Sequence, residues 1–172
     1  MYKVSYVNGG SRTAFYQLDD NRGFKEFACL EDAEYAYQVQ DTLACSNLAP
    51  KVLSEIGRIR MPKNLSDKKL SGWGYITEIA EVIGCGGNEC DCGECEDVYD
   101  NMRRKVDNLI NKISDAGYNF ADAHPGNVGY VKRKGRKILV CIDTGEESVF
   151  DESGYQSDYE SGCSCSYCQA QR

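Results

Sequence analysis

The stretch Val128 to Ile142, VGYVKRKGRKILVCI, restricts the possible folds of this chain more than any other. Two apolar runs, VGYV and ILVCI, flank the basic, glycine-bearing turn KRKGRK, which reads as a β-hairpin with a solvated tip. Antiparallel pairing of 128–131 with 138–142 sets the start of the first strand beside the end of the second. Asn127 and Asp143, just outside those strands, are therefore expected as neighbours at one end of the hairpin. Their side chains can share a cation there. One carboxylate and one amide oxygen, with waters and phosphates completing the shell, suit Mg²⁺ better than a soft metal.

Asp122 precedes Asn127 by five positions in ADAHPGN, which also holds the single histidine of the chain, His124. Pro125-Gly126 fits the central positions of a type II turn. On that loop Asp122 can accept a hydroxyl proton, and His124 reads as a hydrogen-bond donor that orders the loop. Upstream, Val98, Met102, Val106, Leu109, Ile110 and Ile113 recur every three or four residues, which predicts a helix over 97–116 that stops at Gly117.

The N-terminal half reads as a small sheet with one helix. YKVSYV and AFYQL alternate and form a hairpin across NGGSRT, and GFKEFA is a further strand. Ala33, Ala36, Tyr37, Leu43 and Ala44 place a helix from about Glu31 to Leu48, ended by Pro50. KVLSEIGRIRMP and GWGYITEIAEVI predict two more strands. The expected organisation is an N-terminal unit, 1–83, a cysteine-rich insertion, 84–96, and a C-terminal unit, 97–172.

Composition narrows the function classes. The net charge of -7 over 172 residues opposes a surface made for phosphate backbones, so no nucleic acid is expected as partner. There is no apolar run of signal-peptide or membrane-span length, so a soluble, cytoplasmic protein with no membrane contact is expected.

Taken together, these motifs resemble the kinase-like phosphotransferase superfamily. Asp122 and Asn127 keep the spacing of its catalytic Asp and metal-binding Asn, and Asp143-Thr144-Gly145 stands after a strand where D-F-G does. ADAHPGN also resembles the loops of atypical and small-molecule kinases, including the ubiquinone-synthesis kinase-like family and the aminoglycoside phosphotransferases. The resemblance implies an α+β, protein-kinase-like two-lobed fold with a truncated C-terminal lobe, because residues 144–172 cannot supply a helical substrate platform. It spans roughly residues 1–150.

The same resemblance implies roles for other residues. Gly9, Gly10 and Ser11 would belong to a phosphate-covering hairpin, although they do not satisfy G-x-G-x-x-G. Lys25 would be the strand lysine for the α- and β-phosphates and Glu34 its ion-pair partner, with Glu31 or Asp41 as competitors. YITEIAE would be the strand and hinge that meets adenine. Asn127 and Asp143 would hold Mg²⁺ against ATP while Asp122 takes the proton of an acceptor hydroxyl. The implied function is an ATP- and Mg²⁺-dependent kinase acting on an unknown protein or small-molecule acceptor. The alternatives are a nucleotide-binding pseudokinase or adaptor and, with no nucleotide at all, a small zinc-binding interaction protein.

Ten cysteines are many for a reducing compartment, where they favour metal ligation over disulfides. Cys90, Cys92 and Cys95 are spaced C-x-C-x2-C, and so are Cys163, Cys165 and Cys168. Structural Zn²⁺ takes four ligands. One ion could draw two from each cluster, Cys85 could complete the first set, or two ions could share ligands. A bridging zinc would pin the acidic tail to the insertion. Cys29, Cys45 and Cys141 fall in predicted helix or strand and read as core residues.

Overall fold

The structure, a computed structural model, describes residues 5–9, 13–59, 72–83 and 94–151. Strand β1 (Ser5–Gly9) pairs antiparallel with β2 (Thr13–Gln17), with a register break between Tyr6 and Asn8, and β2 pairs with β3 (Arg22–Phe27). Helix α1 (Leu30–Cys45) follows at once. Its end is set by Asn47, whose φ of 59° is left-handed. The Asn47 and Leu48 amides donate to the carbonyls of Ala44 and Leu43, closing the helix in a Schellman arrangement. The helix therefore stops short of the expected Leu48, and Cys45 at its last turn is exposed rather than in the core.

Strands β4 (Gly57–Arg58) and β5 (Trp73–Glu78) complete a five-stranded antiparallel sheet in the order β1-β2-β3-β5-β4. The full strand expected within 51–62 does not form among the described residues. Only Gly57–Arg58 and a bridge from Val52 to Thr77 pair with β5. Between them the Ser54 hydroxyl, not a backbone carbonyl, accepts the Ile76 amide. GWGYITEIAEVI also divides: β5 ends at Glu78, and β6 (Glu81–Val82) joins a different sheet.

Helix α2 (Glu94–Asp115) begins three residues before the predicted start, inside the stretch expected to be an insertion, and Gly117 at φ 88° lies just past its end. Strand β7 (Tyr118–Phe120) leads into ADAHPGN. The expected hairpin is present: β8 (Val128–Arg133) pairs with β9 (Arg136–Cys141) from Val128↔Cys141 to Arg133↔Arg136. Its two-residue turn has both Lys134 (φ 50°) and Gly135 (φ 75°) left-handed, as a twist-matched hairpin turn requires. A final strand, β10 (Val149–Asp151), pairs with β7. Periodicity does not reveal this pair, since each partner is three residues long and β10 sits among acidic residues.

Helix α1 is the centre of the packing. Ala33 and Ala36 face Phe27 and Tyr75 of the large sheet, and these small side chains leave room for the two rings, stacked at 5.6 Å between centroids. Val39 and Leu43, further along, pack with Leu109 and Ile113 of α2, Phe120, Val128, Cys141 and Val149. Burying side chains such as Leu43 and Ile113 contributes about 2 kcal/mol each. Among the described side chains of α2, Val106, Leu109 and Ile113 are buried, whereas Val98 of the expected apolar face is exposed. The described fold is thus mixed α and β with antiparallel sheets. None of its helices is long and apolar enough to cross a membrane.

Candidate functional site

Three of the sequence-predicted residues lie at the Asn127–Asp143 end of the β8–β9 hairpin, and a fourth reaches it from the large sheet. The register places Ile142 opposite Asn127, and the Ile142 amide donates to the Asn127 carbonyl at 2.9 Å. The Ile142 carbonyl in turn accepts from Lys25 Nζ at 3.3 Å. One residue therefore joins the hairpin end to β3. Lys25, only 8 % exposed, also forms an ion pair with Asp143 Oδ1 at 3.3 Å. A buried ammonium requires such a partner, because desolvating an unpaired charge costs several kcal/mol.

Asp143 Oδ1 also accepts the Gly145 amide at 3.2 Å. Its Oδ2 accepts no hydrogen bond from any described residue. The next residue, Thr144, is fully buried and donates its hydroxyl to the Ala36 carbonyl of α1 at 3.0 Å. This segment is thus held to β3 by an ion pair and to α1 by a hydroxyl. Tyr75, also fully buried, donates to Gln40 Oε1 at 2.8 Å, and Gln40 donates to the Thr77 hydroxyl and the Pro50 carbonyl. Burial pushes the Tyr75 phenol well above its ordinary value. It does the same to the Cys141 thiol, with the nearby Asp143 charge adding to the effect, so Cys141 stays protonated and fits its reading as a core residue.

Across the hairpin end, Asn127 is 8 % exposed and points its amide nitrogen at Asp122: Nδ2 donates to the Asp122 carbonyl at 3.0 Å and to Oδ2 at 2.9 Å. Its side-chain oxygen accepts nothing from the described residues. The loop is also held from below, where the Ser148 carbonyl accepts the Ala121 amide at 3.0 Å and the Asp122 amide at 3.4 Å. The β7–β10 pair supplies that attachment by setting Val149 opposite Phe120.

The turn in ADAHPGN is not the expected type II. The Asn127 amide donates to the His124 carbonyl at 2.9 Å, closing a four-residue turn, but Gly126 does not have the left-handed φ that type II needs. Gly126 instead leaves the His124 ring its place. A Cβ there would lie 2.7 Å from Cε1 of the His124 ring. His124 Nδ1 accepts the Gly126 amide at 3.0 Å, and Nε2 lies 3.5 Å from Asp122 Oδ2.

Other predicted residues are not assembled here. Glu34 is exposed on α1 and makes no ion pair with Lys25, whose carboxylate partner is Asp143. Ala33 and Ala36 take the sheet-facing side of α1, which leaves Glu34 on the solvent side. Gly9 ends β1 opposite Ala14, while Gly10 and Ser11 lie outside the described residues. So do Cys85, Cys90, Cys92, Cys163, Cys165 and Cys168; Cys95 falls in the first turn of α2. Among the described residues there is no group of three or more His, Cys, Asp or Glu able to hold a metal. The Asn127–Asp143 pair, an amide and one carboxylate, is outside that class.

Sequence reasoning overlooked Thr144, Ser148 and the pair Arg133–Glu78. Arg133 lies in the basic turn expected to be solvated. Lys134, Arg136 and Lys137 are indeed exposed, but Arg133 turns inward and donates to Glu78 Oε2 at 2.8 Å and to the Ala49 carbonyl at 2.9 Å. Nothing in KRKGRK itself singles out Arg133. The strand alternation that leaves Lys132 exposed does put it on the opposite face.

No family model matches the chain, and no curated protein matches it. Among solved structures it is similar to SAICAR synthase from Saccharomyces cerevisiae, in complex with SAICAR, at 10% identity over 89% of this chain and 78% of that chain. The TM-score is 0.44, too low to establish a shared fold. The site has to be read from its own residues.

Proposed function

We propose that this chain is a small ATP- and Mg²⁺-dependent phosphotransferase of the kinase-like type, acting on a hydroxyl acceptor. The observation that carries the reading is the joining of Lys25 to Asp143 at the hairpin end where Asn127 holds Asp122. Kinase-like phosphoryl transfer calls for few protein groups: a strand lysine, a post-strand Asp, and an Asp and Asn five positions apart. Residues 1–83 and 97–172 would then form the two sides of a nucleotide cleft, with Gly9, Gly10 and Ser11 over the phosphates.

The donor set fits a hard cation. Asp143 Oδ2 and Asn127 Oδ1 both lack a donor among the described residues, and both are oxygens. Bound Mg²⁺ would supply neutralisation of the charge on the transferring phosphoryl group. Lys25 binds and steadies the phosphates, its ammonium held by Asp143 and the Ile142 carbonyl. Asn127 keeps Asp122 in place through Nδ2. Asp122 accepts the proton of the acceptor hydroxyl as its oxygen bonds to the γ-phosphorus and the bond to ADP breaks. Positioning and electrostatics account for the catalysis.

The test is incubation of the purified protein with γ-labelled ATP and Mg²⁺, alone and with cell extract, beside an Asp122→Asn control. Label transfer that is lost in the control supports the reading. Transfer that persists in the control, or nucleotide release without Mg²⁺, refutes it, and Mg²⁺-dependent ATP binding without transfer identifies a pseudokinase or adaptor.

A further inference from the structure

We infer that His124 is a positioning residue whose neutral imidazole, protonated on Nε2, holds Asp122 so that Oδ1 is the oxygen presented to the acceptor. The role assigned to Asp122 rests on the phosphotransferase reading; the state of the ring does not. His124 Nδ1 accepts the Gly126 amide at 3.0 Å, and a ring nitrogen that accepts a hydrogen bond carries no proton. In the neutral ring the proton therefore sits on Nε2. That nitrogen faces Asp122 Oδ2 at 3.5 Å, a charge–dipole contact longer than a strong hydrogen bond.

The same Oδ2 receives the Asn127 amide at 2.9 Å, so one hydrogen bond and one longer contact from the ring meet on the same carboxylate oxygen. Oδ1 has no donor among the described residues. The terminal torsion of an aspartate has broad, two-fold preferences, and the Asp122 side chain is 53% exposed, so nothing in its own packing would stop the carboxylate from turning. The Asn127 hydrogen bond and the His124 contact, both on Oδ2, oppose that turning and leave Oδ1 as the oxygen free to take a proton. Gly126 serves the same end twice: its amide fixes Nδ1, and its missing Cβ leaves the ring its place, 2.7 Å from where that atom would stand.

The chain has one histidine, so its imidazole nitrogens are observable without assignment ambiguity. Nitrogen-15 NMR of the ¹⁵N-His-labelled full chain should show a protonated Nε2 and an unprotonated Nδ1, and Gly126→Ala should shift both resonances. A ring protonated on Nδ1 overturns the inference. In turnover assays His124→Ala should lower kcat by about tenfold to a hundredfold with the KM for ATP nearly unchanged. His124→Gln, which keeps an N–H donor toward Asp122, should recover part of that loss. Equal losses in the two variants, with both folded by circular dichroism, would also overturn it. A wild-type protein with no turnover would refute the phosphotransferase reading, while the tautomer still decides whether His124 holds Asp122.

Discussion

Lys25 Nζ and Asp143 Oδ1 meet at 3.3 Å although 118 positions separate them in the chain. The contact brings the third strand of the large sheet to the segment after the hairpin, and the first prediction follows from it. Asp143→Asn keeps a side chain of the same shape but removes the charge that holds Lys25 and that a cation would need. Mg²⁺-dependent nucleotide turnover should fall by at least about a hundredfold while the circular dichroism spectrum is unchanged. Lys25→Met should also lower turnover. Unaltered rates in both variants would exclude this end of the hairpin as the reacting site.

A second contact of this kind links Arg133 of β8 to Glu78 at the end of β5, with side chains 10% and 20% exposed. Removing one partner of a half-buried pair leaves the other charge with less compensation, at a cost of about 1 to 3 kcal/mol. Arg133→Met and Glu78→Gln should each lower the urea midpoint, and the double variant should lose less than the sum of the two. Strict additivity would show that the pair contributes no coupling.

The Thr144 hydroxyl is the only described side-chain link from the D-T-G segment to the backbone of α1. Thr144→Val preserves shape and deletes the donor, while the Ala36 carbonyl keeps its helix partner, so the cost should be about 0.5 to 1.5 kcal/mol. Thr144→Ser should restore most of the stability. Denaturant unfolding of the two variants checks this, and a loss confined to Thr144→Ser would assign the effect to packing of the methyl group.

Tyr35 donates its hydroxyl to the Val149 carbonyl, tying α1 to β10. Burial, followed by the neighbouring Glu146 charge, raises its pKa from 10.0 to about 12. The folded state therefore retains the proton over a range where the unfolded chain releases it. The stability from this group is fully present below about pH 10 and is lost as the pH rises toward 12. Unfolding midpoints measured across that interval should fall more steeply for the wild type than for Tyr35→Phe. Parallel slopes would contradict the assignment.

The two C-x-C-x2-C segments provide a prediction that depends on sequence alone. Protein purified without chelator should carry at least about half an equivalent of zinc, each ion bound by four thiolates drawn from Cys85, Cys90, Cys92, Cys95, Cys163, Cys165 and Cys168. Elemental analysis decides this. A content below about half an equivalent would remove zinc from the description of the protein.

The elements legible in the sequence are those governed by neighbours along the chain. The β8–β9 hairpin could be read because apolar runs and a glycine-bearing turn encode it locally, and α2 because its apolar residues recur at helical spacing. The proximity of Asn127 to Asp143 followed from the hairpin register. Errors arose where a nearby or distant contact outweighed the local pattern. Asn47 stops α1 before Pro50 can act, and the Ser54 hydroxyl replaces a strand pairing expected in 51–62. Periodicity cannot show either event.

From its sequence this chain could be assigned two N-terminal hairpin strands and a third, the two helices, the β8–β9 hairpin, and an Asp and Asn placed at its end. Those assignments rest on periodicity and turn chemistry, which act over a few residues. Tertiary structure alone decided that Lys25 pairs with Asp143 and not with Glu34, that Arg133 leaves a solvated turn for Glu78, and that β10 holds the Asp122 loop. Each of those choices balances the desolvation of a polar group against a partner far along the chain, and that balance exists only once the intervening core has packed.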